Sequence, residues 1–240
     1  MLALGHRFTV LDYGARSSRS NWHVGSAAGR LVQNVHDSNM LNGNPSATHK
    51  YGSRVITGGG GGAGAGSTRP GGGWGDYCIS VTLFPDTGSG DGGIGVLLRH
   101  LDARNHYRVS LVKLAAGPVV VLWKYVAGRR VELRRQGLSA LPNEYPIKVC
   151  GAGPYIAVYK LTAASSYSLV LAYADLYDGT KAGSYIASGA AGLSCSGRTC
   201  QFDDFSIEPT KAPLTVSPSR IVVPEATGTA TFTVSVSKWL

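Results

Sequence analysis

The sequence predicts an all-β protein in which two antiparallel sheets pack face to face, and three observations carry that prediction. Residues 74–111, WGDYCISVTLFPDTGSGDGGIGVLLRHLDARNHYRVSL, spell three consecutive strands separated by two turn-forming loops. The 33 glycines and 15% charged residues, with almost no helical periodicity, favour short strands and many turns over helix. About a dozen strand-like runs then fill roughly 200 residues, which suits a two-sheet sandwich.

The elements follow from alternation. Tyr77, Ile79, Val81 and Leu83 alternate with Cys78, Ser80 and Thr82, so one face is apolar and the other mixed. Ile94, Val96 and Leu98 share a face, Asp102-Ala103-Arg104-Asn105 turns the chain, and Tyr107, Val109 and Leu111 return on the same parity. Earlier runs at 8–11, 22–24, 30–35 and 51–56 read as strands, as do later ones at 119–126, 130–135, 145–150, 155–161, 168–173, 190–195 and 201–207. The tract GGGGGAGAGSTRPGGG at 58–73 is a glycine-rich insertion. The reading is one domain over 1–208, a stiff PTKAP linker at 209–213, and a segment at 214–240 with two or three alternating strands. That tail is too short to bury a core alone. It is either part of a second domain or a strand extension that pairs with the first domain or with another subunit.

Composition restricts the partners. With 23 Lys and Arg against 14 Asp and Glu, the net charge of +9 favours polyanionic surroundings. No stretch of 18 apolar residues is present, so no transmembrane helix is expected. The start, MLALGHRFTVL, is broken by His6 and Arg7 and lacks a convincing cleavage site. Four cysteines in a chain rich in Gly, Ser and Thr point to an oxidising compartment, hence a secreted or cell-surface protein. Cys195 and Cys200 bracket Ser-Gly-Arg-Thr, a loop that would bring the thiols into bridging range. Cys78 and Cys150 lie in strands and read equally as a bridge or as free buried thiols. Zinc spacing is absent.

In order, SNW (20–22), LVQN (31–34), WGDYCISV (74–81), GIGVLLRHLDARNHYRVSL (93–111) and FDDFSI (202–207) resemble the concanavalin A-like, laminin-G-like jelly-roll modules of secreted bacterial proteins. The resemblance covers roughly residues 8–208, while the tail resembles the start of an immunoglobulin-like or Calx-β-like repeat. It implies a two-sheet antiparallel jelly-roll sandwich with a short C-terminal β extension. It leaves function open, because such folds host lectins, carbohydrate-binding modules, hydrolases, lyases and adhesion domains.

Candidate chemistry divides by site. Retaining hydrolases on this fold need facing carboxylates in a Glu-x-Asp-x-x-Glu strand, and the chain has no such motif. Arg130-Val131-Glu132-Leu133-Arg134 and Lys181-Ala182-Gly183-Ser184-Tyr185 resemble two strands of alginate lyases. On that alternative Tyr185 is the base, with Lys181 and Arg134 neutralising a uronate carboxylate, but the Gln-x-His element is missing.

Binding sites are the other class. Arg99, His106 and Arg108 share an outward parity that reads as an anion- or sugar-binding patch, or as a solvated strand face. Trp123 and Tyr125 share one face, as do Tyr155 and Tyr159, and such rings stack on sugars or fill a core. Trp123 is expected in the core. KYVAGRRVELRR at 124–135, with Arg130 and Arg134, would grip an acidic glycan or would simply solubilise a sheet edge. Nucleic acid is disfavoured, since no nucleic-acid module matches. Asp12, Asp203 and Asp204, with Asp37 and Asn39 as further ligands, resemble calcium positions of related jelly rolls and suggest a structural calcium.

The sequence therefore points to a secreted, noncatalytic module that binds a polysaccharide or anionic cell-surface glycan, or serves adhesion, within a multidomain protein. Two alternatives stand beside it: a filament or surface-layer subunit that self-assembles by strand addition through 214–236, and a lyase acting on a uronate-containing polymer.

Overall fold

The computed structural model describes residues 8–12, 22–24, 30–33, 53–57, 75–85, 93–162, 166–176, 185–196, 199–210, 214–217 and 233–236. The glycine tract 58–73 and most of the linker and tail lie outside them. In chain order the strands are β1 (Phe8–Asp12), β2 (Trp22–Val24), β3 (Leu31–Gln33), β4 (Ser53–Thr57), β5 (Tyr77–Pro85), β6 (Gly93–Asp102), β7 (Asn105–Leu114) and β8 (Gly117–Val126). Then come β9 (Arg129–Gly137), β10 (Tyr145–Ala152), β11 (Tyr155–Leu161), β12 (Tyr167–Ala174), β13 (Ala190–Cys195), β14 (Cys200–Pro209), β15 (Leu214–Ser217) and β16 (Thr233–Val236). Among the described residues there is no helix, hence none long and apolar enough to cross a membrane.

Two seven-stranded antiparallel sheets face each other. The first runs β1-β4-β13-β6-β7-β8-β9 and the second β12-β11-β10-β5-β14-β3-β2. Among the described residues, strands β15 and β16 pair with each other, in a two-stranded sheet.

Period-2 alternation builds the core. Val96, Leu98, Tyr107, Val109, Leu111, Val120, Leu122 and Leu193 of the first sheet meet Tyr77, Ile79, Val81, Leu83, Ile147, Val149, Val158 and Phe202 of the second in one buried cluster. Each such side chain contributes about 1.5–3 kcal/mol through burial.

Local chemistry sets the turns. The Asp102 carboxylate accepts from the Arg104 amide at 2.6 Å and from the Asn105 side chain, closing the β6–β7 hairpin. Ala127 and Gly128 both have positive φ, 50° and 83°, the type I′ geometry whose twist matches the β8–β9 hairpin.

Two disulfides complete the frame. Cys195 pairs with Cys200 between β13 of the first sheet and β14 of the second, tying the sheets together. Cys78, for which the sequence left both readings open, pairs with Cys150 across the neighbouring strands β5 and β10.

Candidate functional site

The richest polar arrangement lies at one end of the sandwich and starts from a break in β6. After Leu98 the strand loses register with both β7 and β13, and Arg99 takes φ 52°, a left-handed conformation that costs a non-glycine residue about 1–3 kcal/mol. The bulge turns Arg99 across the end of the core. Its Nε donates to the Gly75 carbonyl at 3.1 Å, and Nη1 donates to the Gly153 and Ile186 carbonyls at 2.7 and 3.0 Å. Nη2 meets Asp76 Oδ1 at 3.3 Å. The Arg99 amide donates to the Tyr77 hydroxyl at 2.7 Å, and that hydroxyl donates to the Ala190 carbonyl. One guanidinium thus organises backbone from both sheets.

A second layer lies beneath. Lys124 and Asp175, both buried, pair at 2.7 Å, and the Tyr107 hydroxyl donates to the same carboxylate while accepting from the Ile186 amide at 3.0 Å. Burial pushes the Tyr107 hydroxyl well above the usual tyrosine range, and its bond to Asp175 pushes the same way. Burial raises Tyr77 too, partly offset by Arg99. Lys124 was expected on a cationic hairpin surface. It instead follows the inward parity of Val120 and Leu122, and Asp175 compensates its charge.

The accessible part of this end is an apolar rim around a fixed carboxylate. Asp76 keeps 52% of its side chain exposed while Oδ1 accepts from Arg99 and from the Gly153 amide at 2.9 Å. The Tyr185 ring lies 5.8 Å from the Arg99 guanidinium carbon and is 37% exposed. Tyr155 begins β11 beside Gly153, Leu176 follows Asp175, whose amide bonds to the Pro154 carbonyl, and Leu101 precedes the β6–β7 turn. Of the five large hydrophobic side chains exposed among the described residues, four therefore gather at this end.

The other expected site residues are placed differently. An exposed patch of Arg99, His106 and Arg108 is not formed: all three are buried. His106 and Arg108 do point outward from the first sheet, but that face is closed over them, and the bulge carries Arg99 elsewhere. His106 stacks on Tyr125 at 4.2 Å, and Tyr125 is buried on that same outward face. Trp123, expected in the core, faces outward and is half-buried under Arg130, whose guanidinium carbon lies 4.5 Å from the ring. Tyr159 lies on the outward face of β11 with Tyr155, directly across from Lys148.

Of the lyase residues, Arg134 and Tyr185 lie apart. Lys181 lies outside the described residues, and exposed Arg134 sits on β9, three strands or roughly 14 Å from β6 and the Arg99–Tyr185 contact. The calcium residues that are described lie on different elements. Asp12 belongs to edge strand β1 of the first sheet, whereas Asp203 and Asp204 form a bulge inside the second. Asp203 accepts from the Asp204 amide at 2.8 Å, and Asp204 accepts from Thr82. Among the described residues no three His, Cys, Asp or Glu side chains form a metal-sized group, and Asp37 and Asn39 lie outside them.

No protein-family model matches the chain, and no curated protein matches its sequence. Solved structures do. A carbohydrate-binding module, CBM66 from Bacillus subtilis, is similar at TM-score 0.54 and 14% identity, over 84% of this chain and 94% of that one. A functionally unknown protein from Saccharomyces cerevisiae is similar at 0.52 and 10% identity, over 80% and 97%. Xylan β-1,4-xylosidase from Bacillus halodurans C-125 is similar at 0.50 and 14% identity, over 78% of this chain but 34% of the enzyme. At these identities the likeness establishes the sandwich fold, and this chain spans about a third of the xylosidase.

Proposed function

We propose that the protein is a noncatalytic carbohydrate-binding module of the jelly-roll type, working in a secreted or cell-surface protein, and that the sandwich end around Asp76 and Tyr185 receives the sugar. The observation that carries this reading is the half-exposed Asp76 carboxylate, immobilised by Arg99 and the Gly153 amide, beside the exposed rings of Tyr185 and Tyr155. Sugars present hydroxyl donors along their edges and C–H groups on their faces. A fixed carboxylate takes the first and a tyrosine ring the second.

The fold shared with a carbohydrate-binding module supports the reading, as do two disulfides, which belong to oxidising compartments. The charge of +9 favours an anionic glycan or cell surface. The lyase alternative has less support because Arg134, its carboxylate-neutralising arginine, lies on β9, three strands from the β6 end where Tyr185 meets Arg99.

A glycan array, run with calcium and with chelator and assayed for unsaturated product, tests the proposal. The expected result is binding without product, weakened about tenfold or more by Asp76→Asn or Tyr185→Ala. No glycan bound, or affinity unchanged in both variants, overturns it.

A further inference from the structure

One edge of the first sheet carries most of the chain's positive charge. Strands β7 to β9, residues 105–137, hold seven Lys and Arg and one acid, a net charge of +6 out of +9 for the whole chain. Arg108 and Lys124 are buried, and Lys113 stands at the far end of β7. Arg129, Arg130, Arg134 and Arg135 of β9 are all exposed. β9 is the last strand of its sheet, and the stretch from Arg129 to Arg135 runs about 20 Å along that edge. Arg130 and Arg135 stand across from Tyr125 and Val121 on the outward face, whereas Arg129 and Arg134 stand across from Val126 and Leu122 on the other parity. Guanidinium groups therefore flank the edge on both sides.

Packing positions part of this array. Arg130 lies over the Trp123 ring at 4.5 Å. Exposed Arg104, from the β6–β7 turn, joins the array at the β8–β9 turn: its Nη2 donates to the Ala127 carbonyl at 3.0 Å, and its carbonyl accepts from the Gly128 amide at 3.0 Å. The chain itself compensates little of the charge. Glu132 is engaged by two nitrogens of Arg135, and among the described residues no carboxylate pairs with Arg104, Arg129, Arg130 or Arg134. A merely solubilising edge needs charge of either sign, and mixed signs avoid the self-repulsion that Arg129–Arg130 and Arg134–Arg135 impose. A polyanion lying on the edge relieves that repulsion.

We propose that the β9 edge, together with Arg104, is a docking strip for an acidic polysaccharide whose chain runs along the strand. The planar fork of arginine meets a sulfate ester or a uronate carboxylate with two parallel hydrogen bonds, and repeated charges along a glycan match repeated guanidinium groups. Nucleic acid fits the strip less well, because Arg130 covers Trp123 and leaves no bare ring there for a base to stack on. A lipid surface also fits less well, since none of the large hydrophobic side chains exposed among the described residues belongs to β8 or β9. The strip uses neither Asp76 nor Tyr185, so it stands or falls independently of the sugar site proposed above.

Calorimetric titration of the whole protein with heparin and with polygalacturonate, at low and high sodium chloride, tests the proposal. The expected result is binding to one or both polymers that weakens as salt rises, and that weakens about tenfold or more when Arg129→Gln and Arg134→Gln are combined. Heparin alone identifies the sulfate ester, and any binding of polygalacturonate shows that a carboxylate suffices. The charge-matched control, Lys113→Gln with Lys160→Gln, removes as much charge away from the strip and should keep the affinity within about twofold. An equal loss in that control would mean diffuse attraction to a cationic protein and overturns the strip. So does the absence of binding to both polymers, or an unchanged affinity in the arginine variant. Tighter binding to duplex DNA or to phosphatidylserine vesicles than to either polymer overturns the assignment to polysaccharide.

Discussion

Arg99 and Asp76 form an ion pair at 3.3 Å in which one partner is wholly buried and the other half exposed. The arginine therefore serves the fold and the aspartate the surface. Arg99→Met would strand the carbonyls of Gly75, Gly153 and Ile186 and release Asp76. Removing a buried charge from several acceptors costs about 3–5 kcal/mol. Urea unfolding should show that loss as a lower midpoint with little change in slope. Arg99→Lys should recover only part of it, because an ammonium cannot reproduce the planar fork that spans these acceptors. A change below about 1 kcal/mol in Arg99→Met would show that the network is not holding the sheets together at this end.

The two disulfides should contribute unequally. Cys78 and Cys150 close a chain separation of 72 residues, whereas Cys195 and Cys200 close one of 5. Chain entropy then predicts a loss of about 4 kcal/mol for Cys78→Ala with Cys150→Ala, and about 2 kcal/mol for Cys195→Ala with Cys200→Ala. Denaturant titration of the two double variants measures the order. A larger loss from the short loop would mean that its tie between the sheets outweighs chain entropy.

Strand alternation was legible because it is local. Tyr77, Ile79, Val81 and Leu83 occupy the inner face their parity demands, and so do Tyr107, Val109 and Leu111. The same rule placed Arg99 outward and failed, because a bulge at a non-glycine residue leaves no mark in composition, and one extra residue reverses parity. Lys124 was misplaced for the opposite reason. Its position after Val120 and Leu122 points inward, yet its charge argued for water, and only Asp175, distant in sequence, resolves the conflict. Closure over His106 and Arg108 is a tertiary fact that no strand pattern carries. Nothing local marks Asp76, because the contacts that fix its carboxylate, to Arg99 and the Gly153 amide, form only in the fold.

The Lys124–Asp175 pair makes a sharper test of buried electrostatics. Lys124→Met leaves the Asp175 carboxylate buried with Tyr107 and no cation, which should cost about 3–5 kcal/mol. Replacing both partners, Lys124→Met with Asp175→Leu, removes the stranded charge and should recover most of that loss. Guanidinium unfolding of the single and double variants gives the comparison. A double variant less stable than Lys124→Met alone would mean that the pair itself, rather than the avoidance of an unpaired charge, stabilises the core.

Alkaline pH should unfold the protein through Tyr77 and Tyr107. Both hydroxyls are held above the ordinary value of 10.0 in the folded state, chiefly by burial. Below pH 10 folded and unfolded forms are both neutral at these positions, so stability does not depend on them. Above it the unfolded chain releases protons that the folded chain retains, and stability falls as pH rises. The slope is about 1.4 kcal/mol per pH unit for each tyrosine. Denaturant midpoints measured on either side of pH 10, with phenolate absorbance read in parallel, should show two tyrosines ionising only as the fold is lost. Tyr77→Phe should remove one share of the alkaline slope, although it also strands the Arg99 amide and so lowers stability at neutral pH. An alkaline slope that is the same in Tyr77→Phe would place the linkage on other groups.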